Sequence, residues 1–384
     1  METIYFDNAA TSWPKPESMV QAMTDFNAGI GASPGRSAHR RSVDSGRLIF
    51  EARERAACIL GAEDPLGIVF TKNGTEALNI AITGLLKPGD SCITSSMEHN
   101  SVMRPLRSLE LSGVRLDIIS CSESGMLDPD HIKRAIKPDT RAIYLMHASN
   151  VTGNVMPVAE VGLIAKEHGI IFCVDAAQTA GAVPIDVKGM GIDMLAFTGH
   201  KSMFGPQGTG GLYIRKGLEG MIEPIMSGGT GSRSEYEHQP DFMPDKYESG
   251  TPNTIGIAGL GAGIRFVEKT GVGLIRDKER SLLQNFIEGL KKIRGAIIYG
   301  PQSISDRVAV VSFNLEGISP SEASLILDEK YRIMCRPGLH CAPQAHRTIG
   351  TFPAGTLRFS FGYFNTEEEI EYGLKALYEI SRRL

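Results

Sequence analysis

Two short apolar runs, Ile170-Ile171-Phe172-Cys173-Val174-Asp175 and Met194-Leu195-Ala196-Phe197-Thr198, decide the fold. Ala176-Ala177-Gln178 follows the first, and Gly199-His200-Lys201 follows the second. Each run has the length of a strand and lacks polar alternation, as strands buried on both faces of a parallel sheet do. Further out, Ala142 to His147 reads as a third such strand. Val158 to His168 reads as a helix that stops at Gly169. Strands alternating with helices predict an α/β fold with a mainly parallel sheet flanked by helices. Ligands of such sheets sit beyond the carboxyl ends of the strands, where Asp175 and Lys201 fall.

From about Gly256 the pattern changes. Helical stretches at Ile257 to Thr270 and Val272 to Ile293 precede strand signals at Val308 to Phe313 and Thr356 to Ser360. A last helix begins at Glu367. The expected division is a larger domain over 17–255 and a smaller α+β domain made of 1–16 plus 256–384. Gly228 to Asn253 is poor in aliphatic residues and long for a structureless loop, which suggests a functional segment.

Composition narrows the partners. A net charge of −4 gives no reason to expect nucleic acid or an anionic membrane. No apolar run reaches the ~18 residues of a membrane span. The opening Met1 to Asp7 lacks the basic start and apolar stretch of a signal peptide, so a cytoplasmic protein is the expectation. No two of the six cysteines form a C-x-x-C pair, and no metal site is expected. Cys58, Cys92, Cys121 and Cys173 read as buried thiols. Cys335 and Cys341 are spaced closely enough to permit a disulfide.

Three segments carry chemistry. Thr71-Lys72-Asn73-Gly74-Thr75-Glu76 lies between the strand-like Gly67 to Phe70 and the helical Ala77 to Leu86. A helix start of this kind offers free N–H groups and a dipole end to a phosphate. Alone it reads as an ordinary helix cap. Asp175, at the end of a buried strand, needs a partner, and a protonated pyridine nitrogen is one. Alone it reads as a cap for the next segment. Lys201 precedes a Gly-rich turn and could be a desolvated amine able to form a Schiff base. Alone it reads as a surface lysine. Phosphate cap, strand aspartate and strand-end lysine, in that order, are far more specific than any one of them.

With these segments the chain resembles the class V aminotransferase group of fold-type I pyridoxal 5'-phosphate (PLP) enzymes, and within it the cysteine desulfurases. The similarity spans nearly the whole chain. It includes Tyr5 to Thr11, Met97 to Asn100, Ser149 to Gly153, Glu248 to Asn253, Arg336 to Cys341 and Leu357 to Ser360. The resemblance implies a PLP-dependent transferase fold. Lys201 would then anchor the cofactor and move protons, His99 would stack on its ring, Asp175 would hold the pyridine nitrogen and Gln178 the ring oxygen. Gly74, Thr75, Thr198 and His200 would bind the phosphate. Thr251 would reach the phosphate of a neighbouring subunit, implying a homodimer with shared active sites. Asn150 touches cofactor and substrate in this reading, and Asn150, Arg336 and Arg358 hold the substrate.

Cys341 would attack the sulfur of L-cysteine, leaving alanine and a persulfide. That needs a thiolate favoured by positive charge, for which Arg336, His340 and His346 are candidates. His346 also reads as a solvated loop residue. The short Cys341–Arg358 segment resembles the restricted-loop, SufS-like branch, which passes sulfur to an acceptor protein. Leu339 and Pro337 depart from the family's Arg-x-Gly-His-His-Cys, Gly74 stands where many relatives carry a hydroxyl or a small residue, and Ser33 to His39 differs from the SufS-like run. Selenocysteine lyase shares every cofactor residue and is the nearest alternative, followed by another class V lysis or transamination. A non-catalytic scaffold has little support.

Overall fold

The structure, a computed structural model, describes residues 3–35 and 37–382; Arg36, within the Ser33 to His39 run, and Met1 lie outside them. A seven-stranded sheet forms the larger layer. Its order is Ile68–Thr71, Gly210–Ile214, Met194–Thr198, Ile171–Asp175, Thr140–Met146, Ser91–Ser95 and Arg115–Ile119. Only Gly210–Ile214 runs against the rest among these strands. The apolar runs are central strands, buried along their whole length. Alternate residues supply two cores. Phe172, Val174, Leu195 and Phe197 pack on one face, and Ile171, Cys173, Met194 and Ala196 on the other. Helix Thr254–Thr270 packs on Glu17–Asp25 and Arg40–Leu60, and puts Ile257, Leu260 and Ile264 into the first core.

A second, antiparallel sheet has the order Arg336–Gly338, Thr356–Ser360, Val310–Leu315 and Ala296–Tyr299. Helices Val272–Leu290 and Glu367–Ser381 cover it, and Phe286, Phe313 and Phe359 meet in its core. The amino-terminal segment is part of this layer. Ile4–Tyr5 pairs in parallel with Ile333–Met334, and Asp7 bridges Ser360.

Residues 223–253, all described, form no helix or strand. Glu248 fixes this long stretch: its carboxylate accepts from Arg53 at 2.8 and 2.9 Å and from Phe70 N at 2.7 Å. The helix after strand Ile68–Thr71 begins at Gly74, earlier than the expected Ala77, because the Asn73 side chain caps Glu76 N at 2.9 Å. Cys58 is exposed rather than buried, because Arg40–Leu60 turns Ala56, Ala57 and Leu60 inward instead. Cys335 and Cys341 are both free thiols. Among the described residues no helix is long and apolar enough to cross a membrane.

Candidate active site

A cavity of about 210 Å³ lies between the two sheets. The larger sheet contributes Asp175, Thr198 and Lys201 to its lining, and the smaller contributes Arg336 and Arg358. Lys201 follows the strand that ends at Thr198. Gly199 is required there, since a Cβ would collide with the Thr209 hydroxyl. The amino-terminal segment then clamps the turn. The His200 carbonyl accepts from Ser12 N at 3.1 Å and Lys15 Nζ at 2.6 Å, and the Lys201 carbonyl from Ser12 Oγ at 2.8 Å. Burial pushes the Lys201 ammonium down to about 8; Asp175 opposes this and the Arg358 charge adds to it. Asp175 Oδ1 accepts from Ala177 N at 2.9 Å, and burial raises its pKa. Gln178 lines the same wall and donates to the Ala9 carbonyl at 3.1 Å.

One end of the cavity is built for an anion. The first turn of helix Gly74–Thr83 opens onto it through Gly74 and Thr75. Nothing within the chain compels glycine at 74: a Cβ would meet the Phe197 carbonyl at an ordinary 3.6 Å. Thr198 Oγ1 and His200 Nδ1 are buried here with no partner among the described residues. Thr75 Oγ1 meets Ser101 Oγ at 2.7 Å, and Ser101 Oγ meets His99 Nδ1 at 3.0 Å. His99 Nδ1 also accepts from Ser101 N at 3.1 Å, which leaves the proton of the neutral ring on Nε2. Burial, with Lys201 and Arg336 nearby, holds this imidazole at about 4.

At the other end Arg358 is 1% exposed. Its Nη2 donates to Asp7 Oδ1 at 2.6 Å and its Nη1 to the Asn150 carbonyl at 3.1 Å. Asn150 Nδ2 donates to the His340 carbonyl at 2.7 Å. Cys341 is exposed beside the cavity, with Arg336 Nη2 at 3.4 Å from its sulfur. His340 and Cys341 have φ of 48° and 58°, two successive residues in the left-handed region that favours glycine. Asn100 N holds the Cys341 carbonyl at 2.8 Å.

His340 and His346 do not supply positive charge. Both rings are buried, and burial holds His346 at about 4 and His340 well below the ordinary imidazole range. His346 is fully buried rather than solvated, with Nδ1 2.7 Å from Thr351 Oγ1. Arg336 is the cation beside the sulfur. For His340 the tautomer follows from its neighbours. Ser312 donates to the Val151 carbonyl and Thr356 donates to Ser312, so Thr356 must accept from His340 Nε2.

The structure brings Gly74, Thr75, His99, Asn150, Asp175, Gln178, Thr198, His200, Lys201, Arg336 and Arg358 to one cavity, with Cys341 at its edge. Thr251 is exposed and lies outside that lining. Sequence reasoning missed Ser101, Thr356 and the Asp7 pairing. Ser101, two residues after a helix-capping histidine, carried a signal; the other two did not.

A family model described as Aminotransferase class-V matches residues 4–372. This chain belongs to the class V aminotransferase family. Among class V relatives, a probable cysteine desulfurase of Methanothermobacter thermautotrophicus is 37% identical, over 98% of this chain and 94% of that one. A cysteine desulfurase of Haloferax volcanii is 34% identical, over 96% and 87%. The apo structure of a cysteine desulfurase from Thermococcus onnurineus superposes with a TM-score of 0.94 at 37% identity, covering 100% of this chain and 95% of that one. The cysteine desulfurase CsdA of Escherichia coli gives 0.88 at 30%, over the same shares. The mainly parallel larger sheet with an added α+β layer is therefore the fold of this class V group.

Proposed function

We propose that this protein is a PLP-dependent cysteine desulfurase. It takes L-cysteine, leaves L-alanine and collects the sulfur as a persulfide on Cys341 for an acceptor protein. One observation carries this reading: Lys201 and Asp175, at the ends of adjacent strands, share a cavity with Arg358 and with the arginine that touches Cys341.

The residues suit the cofactor. The first turn of Gly74–Thr83, with Thr198 Oγ1 and His200 Nδ1, which have no partner among the described residues, matches a phosphate. Asp175, which has spare acceptor capacity, would hold the pyridine nitrogen, Gln178 the ring oxygen and His99 the ring face, with Lys201 as the covalent anchor. When bound, PLP supplies an electron sink for charge at the amino acid's α-carbon.

The chain's own groups do the rest. A Lys201 pKa near 8 lets Nζ hold or release a proton in the working range. Arg358 and Asn150 hold the substrate carboxylate. Arg336 favours the Cys341 thiolate. The sulfur step balances without an outside oxidant. The substrate C–S bond breaks, an S–S bond forms to Cys341, and the electron pair leaves with carbon, which takes up a proton. Helix Pro343–Thr348 begins two residues after Cys341 and keeps the sulfur's reach short, so the acceptor comes to the enzyme. Thr251, outside its own cavity, serves the phosphate site of a second copy in a homodimer.

The test is to load the protein with PLP and add L-cysteine. Alanine and reductant-releasable sulfide form in equal amounts; Cys341→Ala keeps the cofactor absorbance and loses both products. Full activity of Cys341→Ala on cysteine would overturn the reading.

A further inference from the structure

The Arg358 guanidinium already has an anion beside it. Asp7 Oδ1 lies 2.6 Å from Nη2, while Nε is buried without a partner among the described residues. The backbone holds Asp7 in place. Residue 7 bridges Ser360, two positions beyond Arg358, and its carbonyl accepts from the Tyr5 hydroxyl at 3.1 Å and from Ala10 N at 3.0 Å. Arg336 stands directly opposite Arg358 across the strand pair, yet its neighbour is the Cys341 sulfur. Two adjacent arginines therefore keep different company, and the one that carries a carboxylate is the more deeply buried.

We propose that Asp7 is a positioning residue that shares Arg358 with the carboxylate of the bound amino acid and so sets how tightly substrate and product are held. This rests on the reading of Arg358 as the carboxylate-binding group. A guanidinium has five donors, so both anions can be bonded at once and the cost of the second is electrostatic. Alanine keeps the carboxylate of cysteine. An arginine with no counter-charge would grip both carboxylates more firmly; Asp7 loosens both and so speeds release of the product.

The experiment titrates the PLP-loaded protein with L-alanine and with ethylamine, the same amine without a carboxylate, following the cofactor absorbance. Asp7→Asn should tighten alanine by about tenfold, the order expected when one of two anions sharing a buried cation is removed, and leave ethylamine unchanged. Asp7→Glu, which keeps the charge, should bind alanine like the parent. Unchanged or weaker alanine binding in Asp7→Asn overturns the proposal, as does equal tightening of ethylamine or tightening in Asp7→Glu. Arg358→Gln is the control on the underlying reading. If it weakens alanine while Asp7→Asn does nothing, only the role of Asp7 falls. If Arg358→Gln leaves alanine binding intact, the assignment of Arg358 falls first.

Discussion

Lys201 is the proposed cofactor anchor, and its environment makes a kinetic prediction. The free amine is the nucleophile, and burial brings its pKa down to about 8 from 10.5. Capture of PLP by the apoprotein should accelerate with pH and level off above about 8; stopped-flow absorbance checks this. A rate still climbing at pH 10 contradicts it. Thr356 makes a second prediction. It accepts from His340 and donates to Ser312 in a buried chain. Thr356→Val leaves a buried donor unsatisfied and should cost about 1–3 kcal/mol in urea unfolding. Lys201 and Asp175 were legible as a pair because Asp175 ends one apolar strand and Lys201 lies in the turn just after its neighbour. The Asp7–Arg358 pair joins residues 351 positions apart, and only the packing of two sheets brings them together. His346 was misread for the same reason: a Pro- and Gly-rich context suggests solvent, but helix Pro343–Thr348 folds the ring inward.

The strands and helices were legible wherever apolar periodicity was unbroken, as at Met194–Thr198 and Thr356–Ser360. Boundaries shifted where a side chain, as at Asn73, extends an element beyond its apolar part. The irregular stretch 223–253 had no such pattern, and its role emerges through Glu248. This carboxylate neutralises Arg53, whose side chain is only 4% exposed, and also holds strand Ile68–Thr71 through Phe70 N. Glu248→Ala strands a buried cation and should destabilise the protein by about 3–5 kcal/mol. Double substitution with Arg53→Met should recover much of that loss. If the single variant unfolds at the parent's urea midpoint, the stretch is not anchored here.

Stability of the whole apoprotein should peak near pH 6.5. Burial holds His99, His147, His200 and His346 at about 4, below the ordinary 6.5. The unfolded chain takes up these protons first, so stability present above 6.5 is lost as pH falls toward 4. Burial moves Glu98 and Glu279 the other way, from 4.5 to about 8. Their contribution is full below 4.5 and is lost as pH rises through 8. Urea midpoints should rise from pH 4 to 6.5 and fall from there to 8, and Glu98→Gln with Glu279→Gln should flatten the second limb. The amino-terminal segment has a consequence in the timing of biosynthesis. Residues 4–8 pair with Ile333–Met334 and with Ser360, while Ser12 and Lys15 grip the turn at His200. The strands of the larger sheet have all been synthesised by Ile214, yet the cavity waits for partners made near the far end of the chain. A nascent chain that has reached Ile214 therefore has Lys201 but lacks Arg336 and Arg358, and the cavity is completed only once those are made.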